Sequence, residues 1–317
     1  TEIYTLSLHD ALPICMEIRR GAPLELPHIM LLIDDPKRTV IEPLYARMGS
    51  LPQLYDFELM QGAGRLRGAL VSGQAELEAV ASALEVLADS EAYGKRYGKS
   101  DVLLFAVGDG NHSLATAKAI WEETKAAGAG DPTIMDHPAR YAMVELVNIY
   151  DEGLPFHPIH RVLFKVDEDA LLYDLAAAGA VFEPMPWEVA VVKTDEPEGD
   201  TKGNALGEHR FALASGKRSG LLRVRQPAAK LAAGTIQAVL DAHLAAHPGT
   251  AIDYIHGTES LETLARQPGN LGLYLPPIDK SSFFGTVIRD GVMPRKTFSM
   301  GEAPEKRFYV EARRIVR

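Results

Sequence analysis

Residues 101–124 read DVLLFAVGDGNHSLATAKAIWEET and pass from an apolar run, through a turn with two glycines, into a helical pattern. The run Val102–Val107 is short and continuously apolar, which predicts a strand buried on both faces. The segment after it predicts a helix that Gly128 ends, with one apolar stripe and one charged face. The predicted buried stripe is Leu114, Ala117, Trp121 and Thr124, and the predicted exposed positions are Lys118, Glu122 and Lys125.

The turn between strand and helix, residues 108–113, is the predicted functional site and is called the glycine corner below. Its glycines permit positive φ angles, and Asn111 or Ser113 can cap the first helical turn. Free amides at a positive helix terminus favour a phosphate or carboxylate ligand. Asp109 adds a negative charge there, which suits a group that takes up a proton, binds a metal ion or caps the helix.

Standard motifs do not explain the glycine corner. No Gly-Lys-Ser/Thr follows it, so it is not a Walker loop, and Ser113 stands where the dinucleotide fingerprint has its third glycine. An ordinary strand-to-helix turn, with Asn111 as the cap and His112 partly exposed, is therefore the alternative interpretation.

Composition restricts the possible partners. The 317 residues are enough for one large domain or two ordinary ones, and a hydrophobic content of 46% is enough for a sizeable core. No apolar run approaches the ~20 residues of a membrane span. A net charge of −10 disfavours duplex nucleic acid and anionic membranes. The single cysteine, Cys15, excludes an internal disulfide and a thiolate zinc cluster, so we expect a cytoplasmic protein.

The N-terminal residues do not read like the rest of the chain. Residues 1–14, TEIYTLSLHDALPI, look like a translated sequencing adapter and lack the basic start of a signal peptide. We expect residues 1–15 to be a non-native tail and the natural chain to begin at about Cys15 or Met16, with its N-terminus truncated.

Elsewhere in the first half, periodicity predicts strands and helices of ordinary length. Residues 62–68, with Arg65 and Arg67, favour a loop or hairpin over a phosphate cradle. Residues 93–100 are predicted to be a loop. The predicted strands are residues 29–33, 54–60 and 139–148, and the predicted helices are residues 39–48 and 75–88.

Two histidines, His157 and His160, lie near residue 160. Residues three apart on a strand point to opposite faces, and Pro158 disfavours a helix, so we expect no zinc here. His160 and Arg161 are predicted instead to be a positive pair that binds a phosphate or hydrogen-bonds the turn at Asp109. A structural role at a strand edge is the alternative.

A second region begins near Asp167. It is predicted to be α+β, with helices at residues 167–180, 228–246 and 260–267 and an antiparallel meander of strands at residues 189–193, 210–214 and 220–224. The acidic insert at residues 194–208 is predicted to be a loop. Near the end, Pro294–Thr297 offers fixed charges and a hydroxyl for an anion, and a solvated basic turn is the alternative.

Four motifs in their order resemble the bacterial family catalogued as domain of unknown function 1015, from about Met16 to the end. They are GDGNHSLATAKA, LVNIYDEGLPFHPIHRVL, DYIHG and GVMPRKTF. In that family the corner usually reads Asp-Gly-His-His-Arg and is similar to the Gly-x-x-Arg box of the ParB/sulfiredoxin superfamily. That superfamily binds nucleotide phosphates at this box and includes nucleotide-dependent serine kinases, CTP-hydrolysing partition proteins and sulfiredoxins.

The resemblance assigns residues to this box one at a time. Asp109, Gly110 and His112 match it, Asn111 replaces its first histidine, and Ser113 stands in place of its arginine. His160–Arg161 and Lys296–Thr297 match further family motifs.

The resemblance implies a mixed α/β (α+β) fold, with a truncated ParB/sulfiredoxin-like domain at residues 16–165 and an α+β region at residues 166–317 that packs on it. It implies binding of ATP or ADP with Mg²⁺, and a small-molecule phosphotransferase or, alternatively, a non-catalytic regulatory module that binds a nucleotide or phosphometabolite. The expected catalytic residues are Asp109 and His112, with Asp109 also the expected metal ligand. The expected ligand-binding residues are Gly108, Gly110, Asn111, Ser113, His160, Arg161, Lys296 and Thr297.

Overall fold

The computed structural model describes residues 8–26, 29–99, 101–196, 207–291, 296–300 and 309–316. The chain forms two compact units. The first comprises Thr1–Asp151 and Ala303–Arg317, and the second comprises Glu152–Glu302. The units therefore divide after Asp151, earlier in the chain than the boundary expected at residue 166.

Helices and strands are numbered in chain order. The helices are α1 (Leu8–Arg19), α2 (Glu42–Ala46), α3 (Gln74–Leu87), α4 (Ser90–Tyr97), α5 (Asn111–Ala127), α6 (Glu168–Ala177), α7 (Trp187–Asp195), α8 (Ala232–Ala246), α9 (Thr258–Ala265) and α10 (Lys280–Asp290). The strands are β1 (Leu24–Glu25), β2 (Ile29–Ile33), β3 (Gln53–Glu58), β4 (Arg65–Ala69), β5 (Ala106–Asp109), β6 (Val144–Asn148), β7 (Phe156–Pro158), β8 (His160–Phe164), β9 (Ala180–Pro184), β10 (His209–Ser215), β11 (Ser219–Val224), β12 (Ala251–Ile255), β13 (Leu271–Tyr274), β14 (Phe298–Met300) and β15 (Arg313–Arg314).

The first unit contains a three-stranded mixed sheet in the order β5-β2-β6. Strand β2 pairs with β5 antiparallel and with β6 parallel. The same unit holds the β3-β4 hairpin and a short pairing between β1 and β15. In the hairpin Arg65 forms an ion pair with Asp56 at 2.6 Å, so the hairpin interpretation of residues 62–68 is confirmed.

The predicted apolar strand before the glycine corner is partly wrong. Strand β5 begins at Ala106 and extends through Asp109, whereas Phe105 is 38% exposed. The register explains the shift, because Ala106 pairs with Leu32 and β2 ends one residue later, at Ile33. Strand β5 is therefore short and presents Asp109 at its end.

The helix after the corner agrees with its predicted periodicity. Thr116, Ala117 and Trp121 are buried on α5, the predicted charged positions are exposed, and the helix ends at Ala127, before Gly128. Helix α1 packs against α5. Helix α1 starts at Leu8, within the segment expected to be a non-native tail. A helix there does not test the origin of the segment, so that expectation stays a prediction.

The predicted loop at residues 93–100 is wrong, because α4 covers most of it. Asp89 caps this helix by accepting a hydrogen bond from the Ala92 amide at 2.8 Å, and left-handed Gly98 ends it. The Tyr93 side chain is buried, and its hydroxyl accepts a hydrogen bond from the Leu103 amide at 2.9 Å. A side-chain cap and one buried aromatic residue therefore stabilise a helix of polar composition.

The second unit contains a six-stranded sheet in the order β12-β8-β13-β10-β11-β9, with every pairing antiparallel. Its two faces alternate along β10: Phe211 and Leu213 belong to one apolar cluster, Ala212 and Ala214 to another. Helices α6 and α8 contribute to the first cluster, and α7 and α9 to the second. The sheet is thus covered by helices on both faces, and the predicted mixed α/β fold class is confirmed.

One predicted strand of the meander, residues 189–193, is wrong. It lies in α7, where Trp187, Ala190 and Thr194 are buried at helical spacing. The predicted strands at residues 210–214 and 220–224 are confirmed as the β10-β11 hairpin. Residues 197–206 of the acidic insert lie outside the described residues, as do Pro294 and Arg295. No helix in the described part of the chain is both long and apolar enough to cross a membrane.

Candidate functional site

The glycine corner joins β5 to α5 by a single left-handed residue. Gly110 has φ 84° and ψ 21° and occupies the N-cap position of α5, which has no side-chain cap. The predicted capping by Asn111 or Ser113 is wrong, since these residues are the first and third positions inside the helix. A residue with a Cβ adopts this backbone conformation only with strain, so glycine is required for the abrupt change of direction.

Asp109 ends the strand directly beside the positive end of α5. Its side chain is exposed, and its Oδ1 accepts a hydrogen bond from the Gly110 amide at 2.8 Å. The remaining carboxylate oxygen is Oδ2, which can accept a proton or contact a cation. Asp109 therefore combines a local structural contact with chemically available charge.

The first turn of α5 presents its polar side chains to the surface. Asn111 and His112 are exposed, Ser113 is half-buried, and the His112 carbonyl accepts a hydrogen bond from the Thr116 hydroxyl at 2.7 Å. The helix has 17 residues, so its dipole places about half a positive charge at this accessible end. These features suit an anion that accepts hydrogen bonds from backbone amides.

A second polar group lies at the other end of the same sheet, after β2 and β6. Asp34 Oδ1 accepts hydrogen bonds from the Arg96 guanidinium at 2.8 Å and the Tyr150 hydroxyl at 2.9 Å. Burial raises the pKa of Asp34, and burial with the Asp34 carboxylate raises the pKa of Tyr150 to about 12. The Asn148 amide links the Asp35 carbonyl to the Glu42 carboxylate, with both distances 2.8 Å.

Sequence reasoning missed this second polar group and treated its residues as turns. The available signal was two carboxylates directly after a buried strand, because ligands of open α/β sheets bind beyond the carboxyl ends of parallel strands. Asp109 pairs with Met30, four residues before Asp34, so at about 3.3 Å per residue the two ends of the sheet lie about 13 Å apart. The Asp34 group is therefore separate from the glycine corner.

In the second unit, His160 and Arg161 do not form one cationic pair. The His160 ring stacks on Tyr274 at 4.3 Å, and its Nδ1 accepts a hydrogen bond from the Leu275 amide at 3.1 Å. Burial, with the nearby positive charges of Arg161 and His256, lowers the pKa of His160 to about 4. His160 is therefore neutral at physiological pH.

Arg161 lies on the opposite face of the same strand and is fully buried. Its guanidinium donates hydrogen bonds to Gln237 of α8 at 3.2 Å and to the Ile159 carbonyl, and it lies over the Tyr254 ring at 5.0 Å. These contacts give Arg161 a structural role in the second unit. Ligand binding by His160 or Arg161 stays a prediction.

The late basic turn is described only in part. Lys296 is exposed and has a positive φ of 54°, and the next residue, Thr297, is buried. Both belong to the second unit, whereas the glycine corner belongs to the first. Their predicted contact with an anion stays a prediction.

A further cluster that sequence reasoning missed is Asp174, His243 and His247 in the second unit. The available signal was two histidines four residues apart at the end of a predicted helix, which places them on one helical face. The predicted absence of zinc was argued from His157 and His160, and it did not consider this pair.

Comparison with solved structures shows similarity in fold. A free serine kinase variant in complex with AMP has a TM-score of 0.50 and 12% identity, over 98% of this chain and 86% of that chain. The unsubstituted form of this kinase, also in complex with AMP, has a TM-score of 0.49 and 11% identity, again over 98% of this chain and 86% of that chain. A conserved hypothetical protein from Pyrococcus furiosus has a TM-score of 0.45 and 11% identity, over 98% of this chain and 89% of that chain.

Comparison with curated protein sequences gives no match. A family model does match, over residues 8–243, which include the glycine corner, β8 and most of α8. The chain therefore belongs to the family described as "Protein of unknown function (DUF1015)".

Proposed function

We propose that the chain binds a nucleotide through its phosphates at the glycine corner and transfers a phosphate group to a small hydroxyl compound. The observation that carries this proposal is the accessible first turn of α5. A long helix starts there directly after left-handed Gly110, without a side-chain cap and with exposed Asn111 and His112. Such a terminus offers amide donors and a favourable dipole to an anion.

Two resemblances support a nucleotide as the anion. The fold is similar to that of a free serine kinase that was solved with AMP. The glycine corner also resembles the phosphate-binding box of the ParB/sulfiredoxin superfamily, with Ser113 in place of its arginine. Ser113 supplies at most a neutral hydrogen bond where arginine would supply two charged ones, so the helix terminus must carry more of the binding.

The chemistry assigns separate roles to the residues of the corner. The amides of Asn111 and His112 hold the phosphates, since the Gly110 amide already donates to Asp109 Oδ1, and the exposed His112 imidazole donates a further hydrogen bond to them. Asp109 takes the proton from the acceptor hydroxyl while the hydroxyl oxygen forms a bond to the terminal phosphorus. The bond from that phosphorus to the rest of the nucleotide breaks, which releases ADP from ATP or AMP from ADP. Alternatively, the Asp109 carboxylate holds the Mg²⁺ that accompanies the nucleotide.

Thermal unfolding with added ligand tests this proposal. A ligand that binds only the folded chain, present at 100 times its dissociation constant, should add about 2.7 kcal/mol of stability. We expect a raised melting temperature with at least one of ATP, ADP and CTP in the presence of Mg²⁺, and a smaller rise with inorganic phosphate. An unchanged melting temperature with all of these would refute nucleotide and phosphate binding together.

A non-catalytic module that senses a nucleotide or phosphometabolite through the same corner is the second candidate function. The exposed corner supports this module as well as it supports the enzyme, because ligand binding needs only the helix terminus. Turnover separates the two: transfer of phosphate to an added hydroxyl compound supports the enzyme, and saturable binding without transfer supports the module. Serine is the first acceptor to test, since the similar structure is a free serine kinase.

A further inference from the structure

The second unit contains a histidine pair whose hydrogen bonds fix the position of each ring proton. His243, on α8, is 1% exposed, and its Nδ1 lies 2.6 Å from Asp174 Oδ2 of α6. The Nδ1 of His247 lies 3.0 Å from the His243 carbonyl oxygen. Carboxylate and carbonyl oxygens only accept hydrogen bonds, so each Nδ1 carries a proton, and Nε2 is the nitrogen of each ring that could bind a metal ion.

The Nε2 atom of His243 is the unexplained feature of this cluster. It is buried and has no hydrogen-bond partner within the described part of the chain. A buried acceptor left unsatisfied is costly, and native structures rarely keep one without a bound water, ion or ligand. Packing alone therefore does not account for a histidine at this position.

The three side chains lie close enough together to form one metal site. Asp174, His243 and His247 each offer one ligand atom, and these atoms all lie within 4.8 Å of one another. Zn²⁺ binds imidazole nitrogen at 2.0–2.1 Å, so neighbouring ligand atoms of a tetrahedral site are about 3.4 Å apart. The present arrangement is therefore looser than a closed site, and side chains must move to surround an ion.

His247 is the side chain that would have to move to bind the ion, and its position at the end of α8 allows this. The rings of His243 and His247 stack with centroids 4.2 Å apart and an interplanar angle of 24°, so their lone pairs lie in nearly parallel planes and do not converge on one point. His247 follows the last residue of α8 and is half-buried, whereas His243 is fixed in the interior. Rotation of the His247 ring would direct both Nε2 atoms at a common ion.

We propose that Asp174, His243 and His247 form a binding site for a divalent transition metal ion, with the two Nε2 atoms as ligands. Asp174 orients His243 through its hydrogen bond to Nδ1, as carboxylates do behind metal-binding histidines. Imidazole ligands suit Zn²⁺, Co²⁺, Ni²⁺ or Cu²⁺ rather than Ca²⁺ or Mg²⁺. The site lies entirely within the second unit and does not depend on the proposed nucleotide site.

Titration of tag-free, metal-stripped protein with Zn²⁺, followed by calorimetry, tests the proposal. We expect one Zn²⁺ per chain in the wild type, and a visible d–d absorption band when Co²⁺ replaces it. His247→Ala removes one ligand at a half-buried position, and Asp174→Asn removes the orienting charge while keeping the side-chain size. Each should weaken Zn²⁺ binding at least tenfold.

The matched control is His157→Ala, which removes a half-buried histidine of the same unit outside the cluster and should bind Zn²⁺ like the wild type. Circular dichroism and the melting temperature without metal establish that each variant is folded. Zn²⁺ should also raise the melting temperature of the wild type and the control more than that of His247→Ala. The proposal is overturned if the wild type binds no stoichiometric metal, or if His247→Ala and Asp174→Asn bind it as tightly as the wild type.

Discussion

Replacing Asp109 with asparagine is expected to reduce phosphate transfer by roughly 10²–10⁴-fold, which is the usual contribution of a general base. Asparagine keeps the side-chain oxygen that accepts the hydrogen bond from the Gly110 amide, so the turn should form as before. It cannot take a proton from an acceptor hydroxyl, and it is a poorer ligand for Mg²⁺. Steady-state transfer rates and nucleotide affinity, measured on the same preparations, check this expectation.

Asp109→Ala serves as the structural comparison. It removes both the charge and the hydrogen bond from the Gly110 amide, so it should lose transfer to the same extent as Asp109→Asn and also lose about 1 kcal/mol of stability. Full transfer activity in Asp109→Asn, with lower stability only in Asp109→Ala, would show that Asp109 serves the turn and not the chemistry.

Lowering the pH from about 6.5 to about 4 is expected to cost the second unit about 3 kcal/mol through His160 alone. Burial lowers the pKa of His160 to about 4 in the folded chain, against about 6.5 when unfolded. The unfolded chain therefore binds a proton in this window that the folded chain does not, and stability is lost as the pH falls. At about 1.4 kcal/mol per pKa unit, 2.5 units correspond to a full loss of about 3.5 kcal/mol, of which about 3 kcal/mol falls between pH 6.5 and pH 4.

Urea unfolding at several pH values, with and without His160→Gln, isolates this contribution. Glutamine can accept the hydrogen bond that the Leu275 amide donates to His160, but it does not titrate. Trp187, buried in the second unit against Tyr274, reports its unfolding by fluorescence in a Trp121→Phe background. The same pH dependence in His160→Gln as in the parent would contradict the assignment.

The sequence predicted the features that depend on local pattern. The α5 stripe, the end of α5 before Gly128, strand β2 and the β10-β11 hairpin all follow from periodicity and turn residues. The fold class followed from the same patterns together with family resemblance. Tertiary contacts decided the rest: the pairing with β2 set the start of β5, and burial of Trp187 and Ala190 made α7 a helix.

The candidate site was predictable where it is contiguous in sequence. Residues 108–113 are contiguous and contain the end of β5, Gly110 and the start of α5, so the corner could be inferred from the chain alone. The partners of Arg161 could not, because Gln237 and Tyr254 follow it by many residues and only the fold brings them together. The same holds for Asp174 of α6, which contacts His243 of α8 through the packing of the two helices.

A single added charge tests the central claim that the glycine corner binds phosphate. Asn111→Glu places a carboxylate at the first position of α5, where it should stabilise the helix by about 0.3–1 kcal/mol through the dipole. The same charge repels a phosphate at that terminus. If Asn111→Glu loses phosphate binding, loss of folding is therefore not the cause.

Gln74→Glu is the matched control, because Gln74 is the first residue of α3, follows N-cap Gly73, and also lacks a side-chain cap. Isothermal titration calorimetry with ATP and Mg²⁺ compares the three proteins. We predict that wild type and Gln74→Glu bind ATP equally and that Asn111→Glu binds at least tenfold more weakly, a difference of about 1.4 kcal/mol or more. Equal ATP affinity in Asn111→Glu and wild type would contradict phosphate binding at this corner.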